Sequence, residues 1–163
     1  MFVRSASERD LAAIRALLVE TWHATYDDIY GERRVTEITD EWHSIPLLKA
    51  NLAQPRSEFL VADDGKTLGG VAYATASEDG KTVTLKRLYV RPAFQRSGIG
   101  TALLSEIEES FPGAERLRLE VVVDNHRAVA FYKASGFAVL DGEAGKAVHA
   151  SGLAIYNCEK RIG

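Results

Sequence analysis

The sequence holds a single cysteine, Cys158, so no disulfide can form within the chain. Neither an oxidising compartment nor a zinc–thiolate cluster is indicated. No apolar run approaches the roughly 20 residues that span a bilayer, and the opening MFVRSASERD lacks the apolar core of a signal peptide. Basic residues are not in excess: 20 Lys and Arg stand against 23 Asp and Glu, a formal charge of -3, which argues against a polyanion as the main partner. Metal-ligand spacing, internal repeats and low-complexity tracts are also missing. With nucleic acid, membrane and metal set aside, the expectation is a cytoplasmic protein.

What the sequence does contain suits one globular domain over residues 1–163. Hydrophobic residues make up 46% and charged residues 26% of the chain, and a chain of this length buries roughly two thirds of its unfolded surface. A short strand at Phe2 to Arg4 precedes a helix that opens on the capping pair Ser7 and Asp10. Leu11, Ile14, Leu17 and Leu18 recur along it at helical spacing, continued in four-residue steps by Trp22, Tyr26 and Tyr30. A charged loop GERR and a weaker helical stretch near TDEWHSIPLLKANL follow, the latter blurred by Pro46. FLVADDGKTLGGVAYATA and DGKTVTLKRLYV then read as strands joined by Asp-Gly turns, an antiparallel meander.

Beyond the meander the order changes to helix, strand, helix. Ile99, Leu103, Leu104, Ile107 and Phe111 line one helical face, LRLEVVV is a strand, and NHRAVAFYKASG is a short helix ended by Gly136. Strands at FAVL and LAIYNCEK flank a loop, DGEAGKAVHASG. In the strand TVTLKRLYV, Val83 and Leu85 alternate in one phase, whereas Leu88 and Val90 continue in the other. A one-residue slip swaps faces unless a bulge near Lys86 and Arg87 restores the buried side, bending the strand and freeing backbone groups.

Directly after that strand stands QRSGIGTALL, with Gly98 and Gly100 at the start of a helix. It is either a plain strand-to-helix turn or a loop whose amide groups converge at the positive end of the helix dipole, a site for phosphate. A dinucleotide fingerprint needs a third glycine where Thr101, Ala102 and Leu103 stand, and GEAGKA near Lys146 does not complete a P-loop.

Taken together, LYVRPAFQRSGIGTALL and LEVVVDNHRAVAFYKASGF resemble the GCN5-related N-acetyltransferases. The element Gln95 to Gly100, joined to LYV before it, Asn125 after the next strand, Phe131-Tyr132 and Gly136-Phe137, carries the resemblance over about residues 82 to 140. It implies an α/β (α+β) fold with a mixed, mostly antiparallel central sheet, a bulged fourth strand and flanking helices. It implies acetyl-CoA as co-substrate, without metal, and direct transfer of acetyl to a primary amine on a small molecule or on a peptide N-terminus or lysine. An idle acyl-CoA-binding sensor or regulatory module is the alternative, and a homodimer through the last strands is permitted by the alternation of LAIYNCEK.

The resemblance also assigns residues. The strand opens a V at Leu88, Tyr89 and Val90 for the pantetheine arm, with the Val90 amide facing the thioester oxygen. Gln95, Arg96, Ser97, Gly98, Ile99, Gly100 and Thr101 cradle the pyrophosphate. Asn125 either bonds the pantetheine or phosphate arm or is simply a helix N-cap. Tyr132 sits where many members place the acid that protonates the departing thiolate, unless it only packs. Glu120 is the candidate base or a solvated strand carboxylate. Its other-phase neighbours Leu117, Leu119, Val121 and Val123 leave it on the opposite face.

Many members carry a carboxylate a little before LYV; this chain has Lys86 and Arg87. Substrate choice in the family usually falls to the first two helices and their loop, together with the loop before the last strand. Here Trp22, Tyr26 and Tyr30 would form an aromatic wall with Asp27 and Asp28 attracting the amine, although such a stripe is more often core and paired aspartates a solvated face. His23 and His149 are within conceivable reach of the acceptor, His43 and His126 carry no distinguishing signal, and nothing around Cys158 suggests a covalent acetyl intermediate.

Overall fold

The computed structural model describes residues 1–140 and 147–163. In chain order the strands are β1 (Phe2–Ser5), β2 (Ser57–Asp63), β3 (Leu68–Ala76), β4 (Thr82–Val90), β5 (Arg116–Val122), β6 (Ala138–Val139), β7 (Ala147–Val148) and β8 (Ala154–Arg161). The helices are α1 (Leu11–Tyr30), α2 (Glu32–Trp42), α3 (Ile45–Ala53), α4 (Ile99–Ser110) and α5 (His126–Ala134). The strands form one sheet in the order β1-β2-β3-β4-β5-β8-β6, with β7 also on β8. Among the described residues only the β4–β5 pair is parallel, as expected where a crossover helix, α4, separates two strands.

Alternation sorts the side chains into two layers. Phe59, Val61, Val71 and Tyr73 meet Leu11, Ile14, Leu17, Leu18 and Leu48 of α1 and α3. Their neighbours Leu60, Ala62, Ala72 and Ala74 face Leu103, Leu104 and Ile107 of α4, together with Leu85, Leu117 and Leu119. Both faces of β3 are covered, which explains its unbroken apolar run.

Three local readings need correction. Glu32 to Arg34 of GERR are helical: Gly31 at φ 86 ends α1, and α2 starts on the next residue. The stretch around Pro46 is a helix junction at His43 and Ser44. The Ser44 hydroxyl caps α3 by accepting from the Leu47 amide at 3.3 Å, and proline fits the first turn, where an amide hydrogen has no helical partner. The loop before β8 contains β7, which the sequence did not signal; its residues 141–146, including GEAGKA as far as Lys146, lie outside the described residues.

The slip in β4 is a bulge. Tyr73 of β3 pairs with Arg87 and Ala74 with Leu85, so Lys86 is the extra residue. Leu88 and Val90 thereby return to the face of Val83 and Leu85 and pack with them, while Arg87 takes the opposite face.

Candidate active site

The parallel pairing of β4 with β5 runs from Thr82↔Arg116 to Leu85↔Leu119 and stops one residue before the bulge. From there β4 stays with β3 as far as Gly70↔Val90, while β5 stays with β8 as far as Val122↔Ile155. The two strands therefore part, and a cleft of about 820 Å³ lies in the gap, running from the start of α4 past β4 and β5 to α5 and α1.

One edge of β4 is turned toward this gap. The Arg91 amide donates to Gly69 O of β3 at 2.8 Å. Amides alternate along a strand, so those of Leu88 and Val90 point the other way, into the cleft. The Val90 carbonyl is held by the Gln95 side chain, whose Nε2 donates to it at 3.1 Å, and Arg127 in turn donates to Gln95 Oε1. Gln95 thus ties the loop before α4 to both β4 and α5.

The loop itself is shaped by two glycines for different reasons. Gly98 caps α4 at φ 84, the left-handed region, with open space around it. Gly100 is ordinary helix, but a Cβ there would sit 3.3 Å from the Phe131 ring, so its bareness lets α5 close in. Arg96 also has a positive φ, of 64°. Arg96, Gly98, Ile99, Gly100 and Thr101 line the cleft, whereas Ser97 bonds back to the Phe94 carbonyl. The amino end of a 12-residue helix, with Arg96 and Arg127 beside it, favours anions. Arg127 was not singled out in the sequence, although its place two residues after Asn125 at a helix start was an available signal; His126, which carried no distinguishing signal, also lines the cleft.

At the centre, Tyr132 and Glu120 both line the cleft from different elements. Tyr132 is 8% exposed, stacked edge-on between Phe131 and Phe137, and burial together with the nearby Tyr89 and Tyr26 pushes its phenol upward, holding the proton on. Glu120, half exposed, alternates away from the buried Leu119 and Val121. Asn125 is a helix cap: its Oδ1 accepts from the Ala128 amide at 3.2 Å, and its Nδ2 donates to the Tyr26 hydroxyl at 3.0 Å. Both ends of that side chain are engaged, so it meets the cleft as part of a fixed α1–α5 link.

On the α1 side, Trp22 and Tyr26 are buried yet line the cleft, and Tyr89 packs near Trp22, 6.4 Å between ring centroids. Tyr30 is not part of the lining: its hydroxyl donates to Asp124 at 2.9 Å, and burial plus that carboxylate push it up to about 12. Asp27 pairs with His23 at 2.7 Å, and the other nitrogen of His23 faces Thr36, so neither reaches the cleft. Asp28 is exposed on α1 and outside the lining.

Lys86, exposed at the bulge, lines the cleft; the Arg87 guanidinium is drawn to the far side of β4. There it donates to Asn51 Oδ1 at 3.2 Å, to the Trp42 carbonyl at 2.9 Å and to His43 Nδ1. Lys86 and Arg87, neighbours in the sequence, thus have separate surroundings. His149 lies 3.9 Å from Glu120, outside the lining, and Cys158 is buried at 3% exposure. Among the described residues no group of three or more His, Cys, Asp or Glu is placed to hold a metal ion, and no helix is long and apolar enough to cross a membrane.

Comparison with known proteins follows this geometry closely. Residues 11–137 match the family model described as the acetyltransferase (GNAT) family. The chain is similar to the peptidyl-lysine N-acetyltransferase YiaC of Escherichia coli, 30% identical over 142 residues that cover 85% of this chain and 84% of that protein. It is similar to a spermidine N(1)-acetyltransferase of Thermoplasma acidophilum, 29% identical over 85% of this chain and 89% of the relative. The crystal structure of the PaiA N-acetyltransferase of T. acidophilum in complex with coenzyme A superposes with a TM-score of 0.86 at 26% identity, covering 99% of this chain and 98% of that one.

Proposed function

The chain belongs to the GNAT acetyltransferase family and is an acetyl-CoA-dependent N-acetyltransferase, and we propose that it works as a single domain over residues 1–163, passing acetyl directly to a primary amine in a ternary complex. The observation that carries the reading is the parting of β4 from β5 after Leu85↔Leu119. One cleft then receives the free β4 edge, the amino end of α4, Glu120 and Tyr132.

The residues fit the co-substrate. Backbone amides from Arg96 to Thr101 at the start of α4 suit the pyrophosphate, with Gln95 and Asn125 bracing the loop and α5. Leu88, Tyr89 and Val90 suit the pantetheine arm as an added strand. The Val90 amide faces the thioester oxygen and stabilises the negative charge that develops there.

An alkyl ammonium of pKa about 10.4 is neutral in only on the order of one molecule in a thousand at pH 7. Glu120 takes its proton, directly or through one water. The amine nitrogen then attacks the thioester carbon and a C–N bond forms; as the tetrahedral intermediate collapses, the C–S bond breaks, the leaving thiolate takes the proton of Tyr132, and the nitrogen gives up its second proton to water. The phenol regains a proton from solvent, leaving the acetylated amine and coenzyme A. Because burial keeps Tyr132 protonated well above neutral pH, it is suited to act as acid and not as base.

The acceptors named for the relatives, a polyamine and a peptide lysine, both present an alkyl ammonium, and we assign this chain the same acceptor class. Trp22 and Tyr26 provide an aromatic side for the alkyl portion, and Glu120 and Asp124 provide acidic groups for the charge.

Release of free thiol from acetyl-CoA is the direct test, measured with spermidine, lysine peptides, aminoglycosides and amino acids. Tyr132→Phe is expected to lower kcat about 100-fold with acetyl-CoA affinity unchanged, the scale of general acid catalysis. Full activity in that variant would remove Tyr132 from the acid role. Tight acetyl-CoA binding without thiol release for any acceptor would favour the sensor reading instead.

A further inference from the structure

We infer that His149 is a positioning residue for Glu120: an imidazole locked as an Nε2–H donor, standing behind the carboxylate and fixing its direction into the cleft. The inference rests on the reading of Glu120 as the base and adds the group that makes it one.

His149 begins a tight hairpin between β7 and β8. Its amide donates to the Leu153 carbonyl at 2.9 Å, and the Gly152 amide donates back to the His149 carbonyl at 2.8 Å. Within that turn the Ser151 amide donates to His149 Nδ1 at 3.0 Å, with the Ser151 hydroxyl 2.8 Å from the same nitrogen. A backbone N–H can only donate, so Nδ1 presents its lone pair, and the proton of the uncharged ring resides on Nε2. Nε2 is the atom that faces Glu120, 3.9 Å from Oε2. This spacing leaves room for the pair to tighten into a hydrogen bond when an acceptor amine orders the carboxylate.

The ring also meets α2. Trp42, the last residue of α2, meets it edge-on, 5.0 Å between centroids and 65° between planes. Arg34 of the same helix lies over the Tyr30 ring at 5.4 Å and against Gly152 of the hairpin. Glu120 lines the cleft and His149 does not, so the histidine acts through the carboxylate and touches no reacting atom. With Nδ1 engaged it has no free lone pair to relay a proton; its contribution is the donated Nε2–H, which aims the carboxylate.

The test joins spectroscopy with kinetics. Nitrogen-15 NMR of histidine-labelled protein near neutral pH needs no acceptor and is expected to report the Nε2–H form for His149. A proton on Nδ1 overturns the proposal outright. For thiol release with spermidine or a lysine peptide, His149→Ala is expected to lower kcat about tenfold, the weight of one charge-assisted hydrogen bond, with KM for acetyl-CoA held within about twofold. His149→Gln, which can offer an amide N–H in the same direction, is expected to recover most of that loss. Equal rates in His149→Ala and wild type, or equal losses in the alanine and glutamine variants, overturn it. Glu120→Gln distinguishes the two levels: full activity there removes the base reading itself, whereas loss there with an unaffected His149→Ala removes only His149.

Discussion

Arg87 and His43 form one buried pair beside the bulge of β4. The acceptors of the Arg87 guanidinium among the described residues are neutral: Asn51 Oδ1, the Trp42 carbonyl and His43 Nδ1. Burial, together with the positive charges of Arg87 and Arg15, lowers His43 to about 3. The unfolded chain takes up this proton near pH 6.5. The native stability is therefore complete above that pH and falls through the window from 6.5 down to about 3. The slope is about 1.4 kcal/mol per pH unit for one group. Urea unfolding at pH 7.5 and pH 5 is expected to show a loss of about 2 kcal/mol from this source, and His43→Gln, which keeps an acceptor for Arg87, is expected to lack that part. Equal pH dependence in the two proteins would remove His43 from the account. None of this was visible along the chain, because His43 and Arg87 are brought together by helix packing across 44 positions.

At the scale of elements, β4 carries the most consequence per residue. Its bulge at Lys86 restores the apolar face and coincides with the end of its pairing to β5. Deleting Lys86 removes the extra residue: Leu85 and Arg87 become successive, so Leu88 and Val90 keep the face of Leu85 by simple alternation while the local bend is lost. Such a chain is expected to keep most of its stability, because both apolar faces are preserved, but to lose acetyl-CoA binding, because the bend that accompanies the parting of β4 from β5 is gone. Isothermal titration and thermal unfolding read both effects. Wild-type affinity in the deletion would mean that the cleft does not depend on the bulge. The phase slip between Leu85 and Leu88 was legible because strand alternation has a strict period. The α2–α3 junction was less so: Pro46 read as a breaker, and only the Ser44 cap reveals it as a start.

Over the whole molecule, the sheet divides at the cleft. β1 to β4 form one part and β5 to β8 the other, joined along the ladder from Thr82 to Leu85 with Arg116 to Leu119. Tyr30–Asp124, Tyr26–Asn125 and Trp42–His149 add bridges from the first helices to the second part. A co-substrate lying in the gap touches both parts and binds only the folded chain. At about 100 times its dissociation constant, acetyl-CoA is expected to stabilise the fold by about 2.7 kcal/mol, read as a rise in Tm. Gly100→Val, which drives a side chain into Phe131, is expected to lose most of that rise; an undiminished rise would place the binding elsewhere.

The sequence by itself determined the family, the order of elements from β2 to α5, the bulge and the loop before α4, because periodicity, turn residues and short motifs are local properties that act over a few positions. Tertiary structure alone decided that Tyr30 clasps Asp124 and leaves the lining, that His23 turns to Asp27 and Thr36, that Asn125 is tied at both ends, and that His149 comes within 3.9 Å of Glu120. Those contacts join residues from separate elements, and their geometry is set by how helices and strands pack, for which no short stretch of sequence holds the information.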